Sequence, residues 1–164
     1  MLYLSLGTNI GDKERNLEVA IRTINKQIGT VTSQSAFLTT EPWGFESENG
    51  FLNACIAVDT QLAPEEVLHR CQQIERTMGR HQKSFVEQRP DGTKKTVYHD
   101  RIIDIDILVY NDIVMNTPSL TIPHALMHKR RFVLEPLAQI ASELKIPGTT
   151  MSVGEMLKTL EAKS

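Results

Sequence analysis

The chain has few cysteines and few aromatic residues, and it has no large excess of charge of either sign. Cysteine occupies 2 of the 164 positions, and Cys55 and Cys71 are too far apart to form a C-x-x-C pair. This count excludes a disulfide-rich scaffold. Because each cysteine falls on an apolar stripe, we expect both to be buried, reduced thiols with no redox or metal-binding role.

A strong positive charge and long hydrophobic runs are also missing. The formal net charge is -2 and the sequence pI is about 6.2, which argues against a nucleic-acid-binding protein or one that binds anionic membranes. No apolar run approaches the roughly 20 residues needed to span a bilayer, and the first six residues are too short and uncharged for a signal peptide. We therefore expect a cytoplasmic protein without nucleic-acid or membrane partners.

The composition is that of an ordinary globular chain, 40% hydrophobic and 23% charged, and its length predicts one domain over residues 1–164. Alternating and 3.6-residue apolar periods predict the order β-α-β-β-α-β. This is the pattern of an α+β, ferredoxin-like core with an antiparallel sheet, followed by short strands and C-terminal helices. The predicted strands are residues 2–6, 30–40, 51–59 and 102–110, and the predicted helices are residues 17–28, 64–78, 133–144 and one starting at 152.

An aspartate pair on the last core strand is the strongest chemical signal. Two-residue spacing places Asp104 and Asp106 on one face, about 7 Å apart along the strand. Like charges at this range need a cation or raised pKa values. Oxygen ligands without neighbouring Cys or His pairs favour Mg²⁺ over zinc. The alternative is a solvent-facing strand with two incidental acids. On the opposite face of this strand, the apolar side chains are predicted to pack in the core: Ile103, Ile105, Ile107 and Val109.

Two basic clusters bracket this pair in sequence. Residues 80–101 hold six Lys or Arg against three acids, and residues 128–131 read His-Lys-Arg-Arg just after His124. Arginines in such loops are suited to clamp a triphosphate through bidentate contacts, although either cluster alone is equally consistent with a solvated loop. There is no Walker A or G-x-G-x-x-G motif.

Two smaller groups complete the candidate site. Gln72 and Glu75 lie three residues apart on the second helix, off its apolar stripe. We expect Asn53, with Phe51 on the same strand face and Trp43 and Phe45 in the preceding loop, to form a slot suited to a flat heterocycle. The alternative for Phe51 is core packing.

Together these residues resemble the 6-hydroxymethyl-7,8-dihydropterin pyrophosphokinases of the folate pathway, over nearly the whole chain. The resemblance rests on several motifs in order: Leu6-Gly-Thr-Asn9, Thr40-Glu-Pro-Trp-Gly44, Phe51-Leu-Asn53, Gln72-x-x-Glu75, Gly79-Arg80, Asp100-Arg101-Ile-Ile-Asp104-Ile-Asp106, and Ile122-Pro-His124 with Arg130 and Phe132. It implies a transfer of the diphosphate of ATP to the hydroxymethyl group of the pterin, with release of AMP.

The resemblance also implies residue roles. Asp104 and Asp106 would bind two Mg²⁺ ions, and Arg80 and Arg101 would neutralise charge during transfer. The ATP pocket would add Gln72, Glu75, Ile107, His124 and Arg130. The pterin slot would be lined by Thr40, Pro42, Trp43, Phe51, Asn53 and Phe132, with Asp104 near the substrate.

The chain departs from the family pattern in the long segment 82–99, which we expect to form a lid over both substrates. A Trp-Gly-Pro that is common before the signature arginine is replaced by Tyr98-His-Asp100, and Gln82 with Lys83 stands where a second basic residue is expected. Rival interpretations are an RNA-binding module on the same frame, which the aspartates disfavour, and a binder that has lost catalysis. Without heptads or a surplus apolar stripe, we expect a monomer.

Overall fold

The computed structural model describes residues 1–40, 50–79 and 102–163, together with the backbone of residues 84–88 and 94–98. The strands are β1 (Leu2–Thr8), β2 (Thr30–Gln34), β3 (Leu38–Thr40), β4 (Phe51–Asp59), β5 (Ser84–Gln88), β6 (Lys94–Tyr98), β7 (Asp104–Tyr110), β8 (Met115–Asn116) and β9 (Thr121–Ile122). The helices are α1 (Lys13–Gln27), α2 (Pro64–Thr77), α3 (Arg131–Ala141) and α4 (Val153–Ala162), with a 3₁₀ turn at Met127–Lys129.

The main sheet has the strand order β2-β4-β1-β7, and every neighbouring pair is antiparallel. The short strand β3 also pairs with β4. Two helical crossovers, α1 and α2, connect strands that are not neighbours in this sheet. This arrangement confirms the predicted ferredoxin-like fold with an antiparallel sheet and extra short strands.

Helices cover both faces of the sheet. Leu2, Leu4 and Leu6 of β1 pack in one core cluster with α1 and α2, whereas Cys55 of β4 packs in a second cluster with α3 and α4. Local signals set the helix starts. Asp12 caps α1 by accepting from the Arg15 N–H. The sequence Ser152-Val-Gly-Glu155 predicts a capping box, and the structure confirms it at the start of α4.

Several predicted boundaries are wrong. Residues 7–12 have the composition of a turn, but β1 continues to Thr8. Gly7 pairs with both β4 and β7, and Thr8 pairs with β4. A bulge opposite the Tyr3–Leu4 step of β1 turns Val109 into the second cluster, away from Ile105 and Ile107. The turn signal at residues 111–112 predicts that residues 113–115 form a short strand paired with β7. That prediction is wrong, because β8 begins at Met115 and pairs with β9.

Residues 85–87 and 96–98 have strand-like sequences on either side of the turn signal at residues 89–92, which predicts a hairpin. The structure confirms this hairpin in the backbone of β5 and β6. Strands β5 and β6 pair in antiparallel register, with Ser84 opposite Tyr98 and Gln88 opposite Lys94. Within the described residues, no helix combines the length and the apolar character needed to cross a membrane.

The two described residues that flank segment 80–101 are closely packed. Gly79 has a φ of +109°, and a Cβ at this position would lie 2.7 Å from Ile102 Cδ1. Gly79 ends α2 and Ile102 precedes β7 by two positions, so α2 and the start of β7 are held together at this point.

We expect Gly79→Ala to destabilise the protein through both strain and overlap. Gly148 also has a positive φ, of +83°, but nothing lies within 4 Å of its would-be Cβ. Gly148→Ala should therefore lower the free energy of unfolding by about 1–2 kcal/mol, and Gly79→Ala by about 0.5–1.5 kcal/mol more, the cost of moving the end of the Ile102 side chain off its rotamer. Urea denaturation measures both. Adding Ile102→Val, which removes Cδ1, should recover the excess in Gly79→Ala, and an unchanged excess would contradict the contact.

Candidate active site

The aspartate pair lies on β7 beside the central strand β1. Asp104 is opposite Gly7 and Asp106 is opposite Ser5. Both aspartates are half-buried, while the intervening Ile105 is buried in the first core cluster. The strand therefore directs both carboxylates to one face, as the spacing predicted, and anchors them through the apolar residue between them.

A row of directly opposed residues on β7, β1 and β4 leads from the aspartate pair to the predicted pterin slot. Gly7 is opposite Asp104 on one side and opposite Asn53 of β4 on the other. Directly opposed residues in antiparallel strands share a face. The carboxylate pair and the Asn53 amide are thus on one face, separated by a residue without a side chain.

Gly7 is a site residue that the sequence analysis did not single out. A Cβ at Gly7 would lie 2.9 Å from Asn53 Oδ1 and 3.7 Å from Phe51 Cδ1. Any other residue would therefore push into the slot. The available signal was a glycine within an alternating strand, which often marks close approach of another group.

The Asn53 amide is held in a defined orientation. Asn53 is 4% exposed, and its Nδ2 donates to Thr40 Oγ1 at 2.8 Å. With the amide nitrogen bound to β3, the carbonyl Oδ1 is directed to the Gly7 side. The structure thus brings together Thr40, Phe51 and Asn53 of the predicted slot.

Gln72 and Glu75 differ in solvent exposure, although the sequence predicted both to lie off the buried stripe. Gln72 is exposed, as expected, but Glu75 is only 8% exposed, so its placement off the buried stripe is wrong. Glu75 Oε2 accepts a buried hydrogen bond of 2.9 Å from the backbone N–H of Ile105. The helix is close enough to β7 for this carboxylate to be enclosed between them.

Ile107 is part of β7, whereas His124 contacts that strand from the segment after β9. Ile107 is 5% exposed and packs in the first cluster, on the opposite sheet face from the aspartates. The His124 backbone N–H donates to Leu108 O at 2.9 Å, and its Nδ1 accepts from the Leu126 N–H at 3.1 Å. An accepting Nδ1 places the proton of a neutral imidazole on Nε2.

The second basic cluster does not act as one unit. The Arg130 guanidinium carbon lies 5.7 Å from the Phe132 ring centroid, which is within cation–π range. Arg131 instead pairs with Glu135 at 3.3 Å and Glu161 at 3.7 Å. In this structure the Arg131 side chain is exposed and its charge contacts acids within α3 and on α4, so the phosphate role of the cluster stays a prediction.

His128 and Lys129 line a separate cavity of about 730 Å³ between the 3₁₀ turn and α4. Its interior is largely apolar, with Met127, Ile146 and Met156 among the lining residues. His124 is the one predicted site residue in the described lining. This cavity is therefore distinct from the face that holds Asp104 and Asn53.

Several predicted site residues lie outside the described residues: Pro42, Trp43, Phe45, Arg80, Gln82, Lys83 and Arg101. The predicted lid, residues 82–99, is described only for the backbone of β5 and β6.

The carboxylates fit a hard divalent cation. Among the residues that the structure describes, no group of three or more His, Cys, Asp or Glu is arranged to hold a metal ion. Asp104 and Asp106 thus offer two anionic oxygen ligands on a rigid strand. Mg²⁺ is commonly held by one or two carboxylates and completed by water and substrate phosphate oxygens.

Both cysteines are buried and unpaired with each other, as predicted. Burial raises the pKa of the Cys55 thiol from 9.0 to about 12. Burial, followed by the charges of Glu75 and Asp106, raises the pKa of the Cys71 thiol from 9.0 to about 12. Both groups are therefore neutral thiols near pH 7, which argues against nucleophilic roles.

Comparisons with known proteins agree on one family. The family model for 7,8-dihydro-6-hydroxymethylpterin-pyrophosphokinase matches residues 3–142. A 2-amino-4-hydroxy-6-hydroxymethyldihydropteridine pyrophosphokinase of Porphyromonas gingivalis is 43% identical over 142 residues, which are 86% of this chain and 90% of that protein. The protein of the same name from Methylorubrum extorquens is 40% identical over 150 residues, 91% of this chain and 87% of that protein.

A solved structure supports the fold. The crystal structure of wild-type Plasmodium falciparum HPPK-DHPS has a TM-score of 0.77 to this chain, at 16% sequence identity. The likeness covers 99% of this chain and 45% of that one. The chain therefore has the architecture of less than half of that larger protein.

The raised thiol pKa values predict a loss of stability in alkali. Above pH 9 the unfolded chain releases thiol protons that the folded protein retains, so the free energy of unfolding should fall as pH rises toward 12. The expected slope is up to about 1.4 kcal/mol per pH unit for each thiol. Urea denaturation from pH 7 to 10.5 measures it. A Cys55→Ala, Cys71→Ala double variant is the control, and an equal slope in that variant would contradict the assignment.

Proposed function

Because the chain belongs to the 7,8-dihydro-6-hydroxymethylpterin-pyrophosphokinase family, we propose that Asp104 and Asp106 hold the Mg²⁺ through which it transfers diphosphate from ATP. The family activity joins the hydroxymethyl oxygen of 6-hydroxymethyl-7,8-dihydropterin to the β-phosphorus of ATP. The bond from that phosphorus to the oxygen bridging to the α-phosphate breaks, AMP leaves, and the hydroxyl proton is lost. This is a step of tetrahydrofolate biosynthesis.

The observation that carries the assignment is the shared row formed by Asp104, Gly7 and Asn53. One end of this row has oxygen ligands for a cation and the other end has an amide for a heterocycle. Such a row suits a reaction that joins a phosphorus atom to a pterin substituent, since both reactants must meet on one surface.

We assign two Mg²⁺ ions to the aspartate pair, as the family resemblance implies. Bound Mg²⁺ supplies charge neutralisation on the phosphates and lowers the pKa of a coordinated hydroxyl. Asp104 and Asp106 keep their ligand oxygens in place because β7 is anchored to β1 and to the first core cluster. A metal bound to two protein carboxylates leaves coordination positions for phosphate oxygens.

Asn53 is proposed to recognise the pterin edge. Its Nδ2 is bound to Thr40, so its Oδ1 serves as the acceptor for the ring N–H or amino group. Phe51 and Phe132 are proposed to pack on the flat ring from neighbouring elements. The family resemblance adds Pro42 and Trp43 to this slot.

The ATP pocket is proposed from the resemblance, with support from some described contacts. A neutral His124 has its proton on Nε2, which is a suitable donor to phosphate oxygen, and the cationic Arg130 stands beside Phe132. The remaining proposed members are Gln72, Glu75, Arg80, Arg101 and Ile107. Arg80 and Arg101 are assigned to neutralise charge as the diphosphoryl group moves.

We also propose that residues 1–164 form a single pyrophosphokinase domain that acts as a monomer in the cytoplasm. Both core clusters pack on one sheet, and the described site residues are brought together within one chain. The two unpaired thiols are compatible with a reducing compartment.

The metal assignment predicts that Asp104→Asn and Asp106→Asn each lower kcat by roughly a hundredfold or more, because a required ligand charge is lost. ³¹P NMR of ATP, Mg²⁺ and 6-hydroxymethyl-7,8-dihydropterin should show AMP and a pterin diphosphate with the wild type. EDTA should abolish both signals. Arg101→Ala should fold normally and also turn over slowly.

Asp112→Asn is the matched control, since Asp112 is an exposed acid in the turn after β7, and it should retain wild-type turnover. Formation of ADP would contradict attack at the β-phosphorus. Wild-type kcat in both aspartate variants would refute the metal assignment.

Gly7→Ala tests the pterin end of the row. The new Cβ would lie 2.9 Å from Asn53 Oδ1, so the amide must shift. We expect the KM for the pterin to rise about tenfold, equivalent to about 1.4 kcal/mol, while the dissociation constant for ATP changes little. Steady-state kinetics and an ATP titration measure these effects. If instead the dissociation constant for ATP rises and the KM for the pterin does not, the Asn53 amide does not recognise the pterin.

A further inference from the structure

We propose that Glu75 is a positioning residue for the aspartate pair: it holds the backbone between Asp104 and Asp106 by binding the N–H of Ile105. This inference rests on the proposed metal role of those aspartates. It assigns to Glu75 an action through β7 rather than through ATP alone.

The contact is a buried one. Glu75 Oε2 accepts from the Ile105 N–H at 2.9 Å, and Glu75 is 8% exposed. A buried carboxylate that accepts a hydrogen bond from a backbone N–H is a strong, charge-assisted partner. Removing such a partner leaves a buried donor unsatisfied, which is unfavourable.

The contact can influence both aspartates because its donor, the Ile105 N–H, lies between them in the strand. β7 is the terminal strand of the described main sheet and has β1 as its one neighbour there. In an antiparallel edge strand, alternate N–H groups point away from the sheet. Ile105 provides the outward N–H that lies between the two proposed metal ligands, so rotation of this backbone segment would move both carboxylates.

The acceptor is itself held firmly. Ile74 and Cys71, on the same helix as Glu75, are 2% and 1% exposed and belong to the first core cluster. At the end of α2, Gly79 packs against Ile102. The helix therefore contacts the chain at Ile102 and again at Ile105, on either side of Asp104.

Two substitutions of Glu75 distinguish the effect of its side-chain length from the effect of its charge. Glu75→Gln keeps the length of the side chain and a carbonyl acceptor but removes the charge, whereas Glu75→Asp keeps the charge but is one methylene shorter. Glu65→Asp is the matched control, because Glu65 is an exposed acid in the first turn of the same helix. Circular dichroism and pterin affinity verify that each variant is folded.

The measurement is Mn²⁺ binding by electron paramagnetic resonance in the presence of α,β-methylene-ATP, which does not undergo transfer. We expect Glu75→Asp to weaken Mn²⁺ binding at least tenfold, Glu75→Gln to weaken it clearly less than Glu75→Asp does, and Glu65→Asp to stay within threefold of the wild type. Amide exchange at Ile105 should be at least tenfold faster in Glu75→Asp than in Glu75→Gln.

Wild-type Mn²⁺ affinity in both Glu75 variants would overturn the inference. A loss in Glu75→Gln as large as that in Glu75→Asp would also overturn it, because charge rather than the strand contact would then matter. If Mn²⁺ binding is insensitive to Asp104→Asn, the metal role fails and this inference fails with it. If Mn²⁺ binding depends on Asp104 but not on Glu75, the inference about Glu75 fails while the metal role of Asp104 stands.

Discussion

The pairing of β1 with two strands at once is the constraint on which the site depends. β1 lies between β4 and β7, and Gly7 is opposite Asn53 on one side and Asp104 on the other. A shift of one residue in either register would send the carboxylates or the amide to the opposite face. The register is stabilised by Leu4 and Leu6, which are fully buried against the helices on the other face.

On β7, the proposed metal ligands and the residues of the first core cluster lie on opposite faces of the strand. Ile105 and Ile107 enter the first cluster, while Asp104 and Asp106 remain half-buried on the opposite face. Two carboxylates at this spacing repel each other unless a cation is present. A metal–nucleotide complex supplies positive charge and phosphate ligands together, which fits the activity of the family and a site that carries few protein ligands.

The hydrogen bond between Glu75 and Ile105 adds a second connection to the strand of the aspartates. β7 is joined to β1 on one side and to α2 on the other, so the proposed metal ligands lie on a strand restrained from both sides. The Thr40 contact has a comparable effect on Asn53, since it sets which end of the amide faces Gly7. Both proposed reactant sites therefore include a residue held by a hydrogen bond between a side chain and a neighbouring backbone or hydroxyl group.

The order of elements, the buried stripes and the face of the aspartate pair were determined by the sequence alone, because side-chain periodicity is a local property. Motif order was enough to identify the family and to propose the residues of the site. Other features depended on contacts between distant segments. The β-bulge that redirects Val109, the burial of Glu75 against Ile105, the pairing of Arg131 with Glu161 and the role of Gly7 all arise from residues far apart in the chain. Only the tertiary structure decided these, since neither register irregularities nor the partner of a charged side chain can be inferred from spacing along one element.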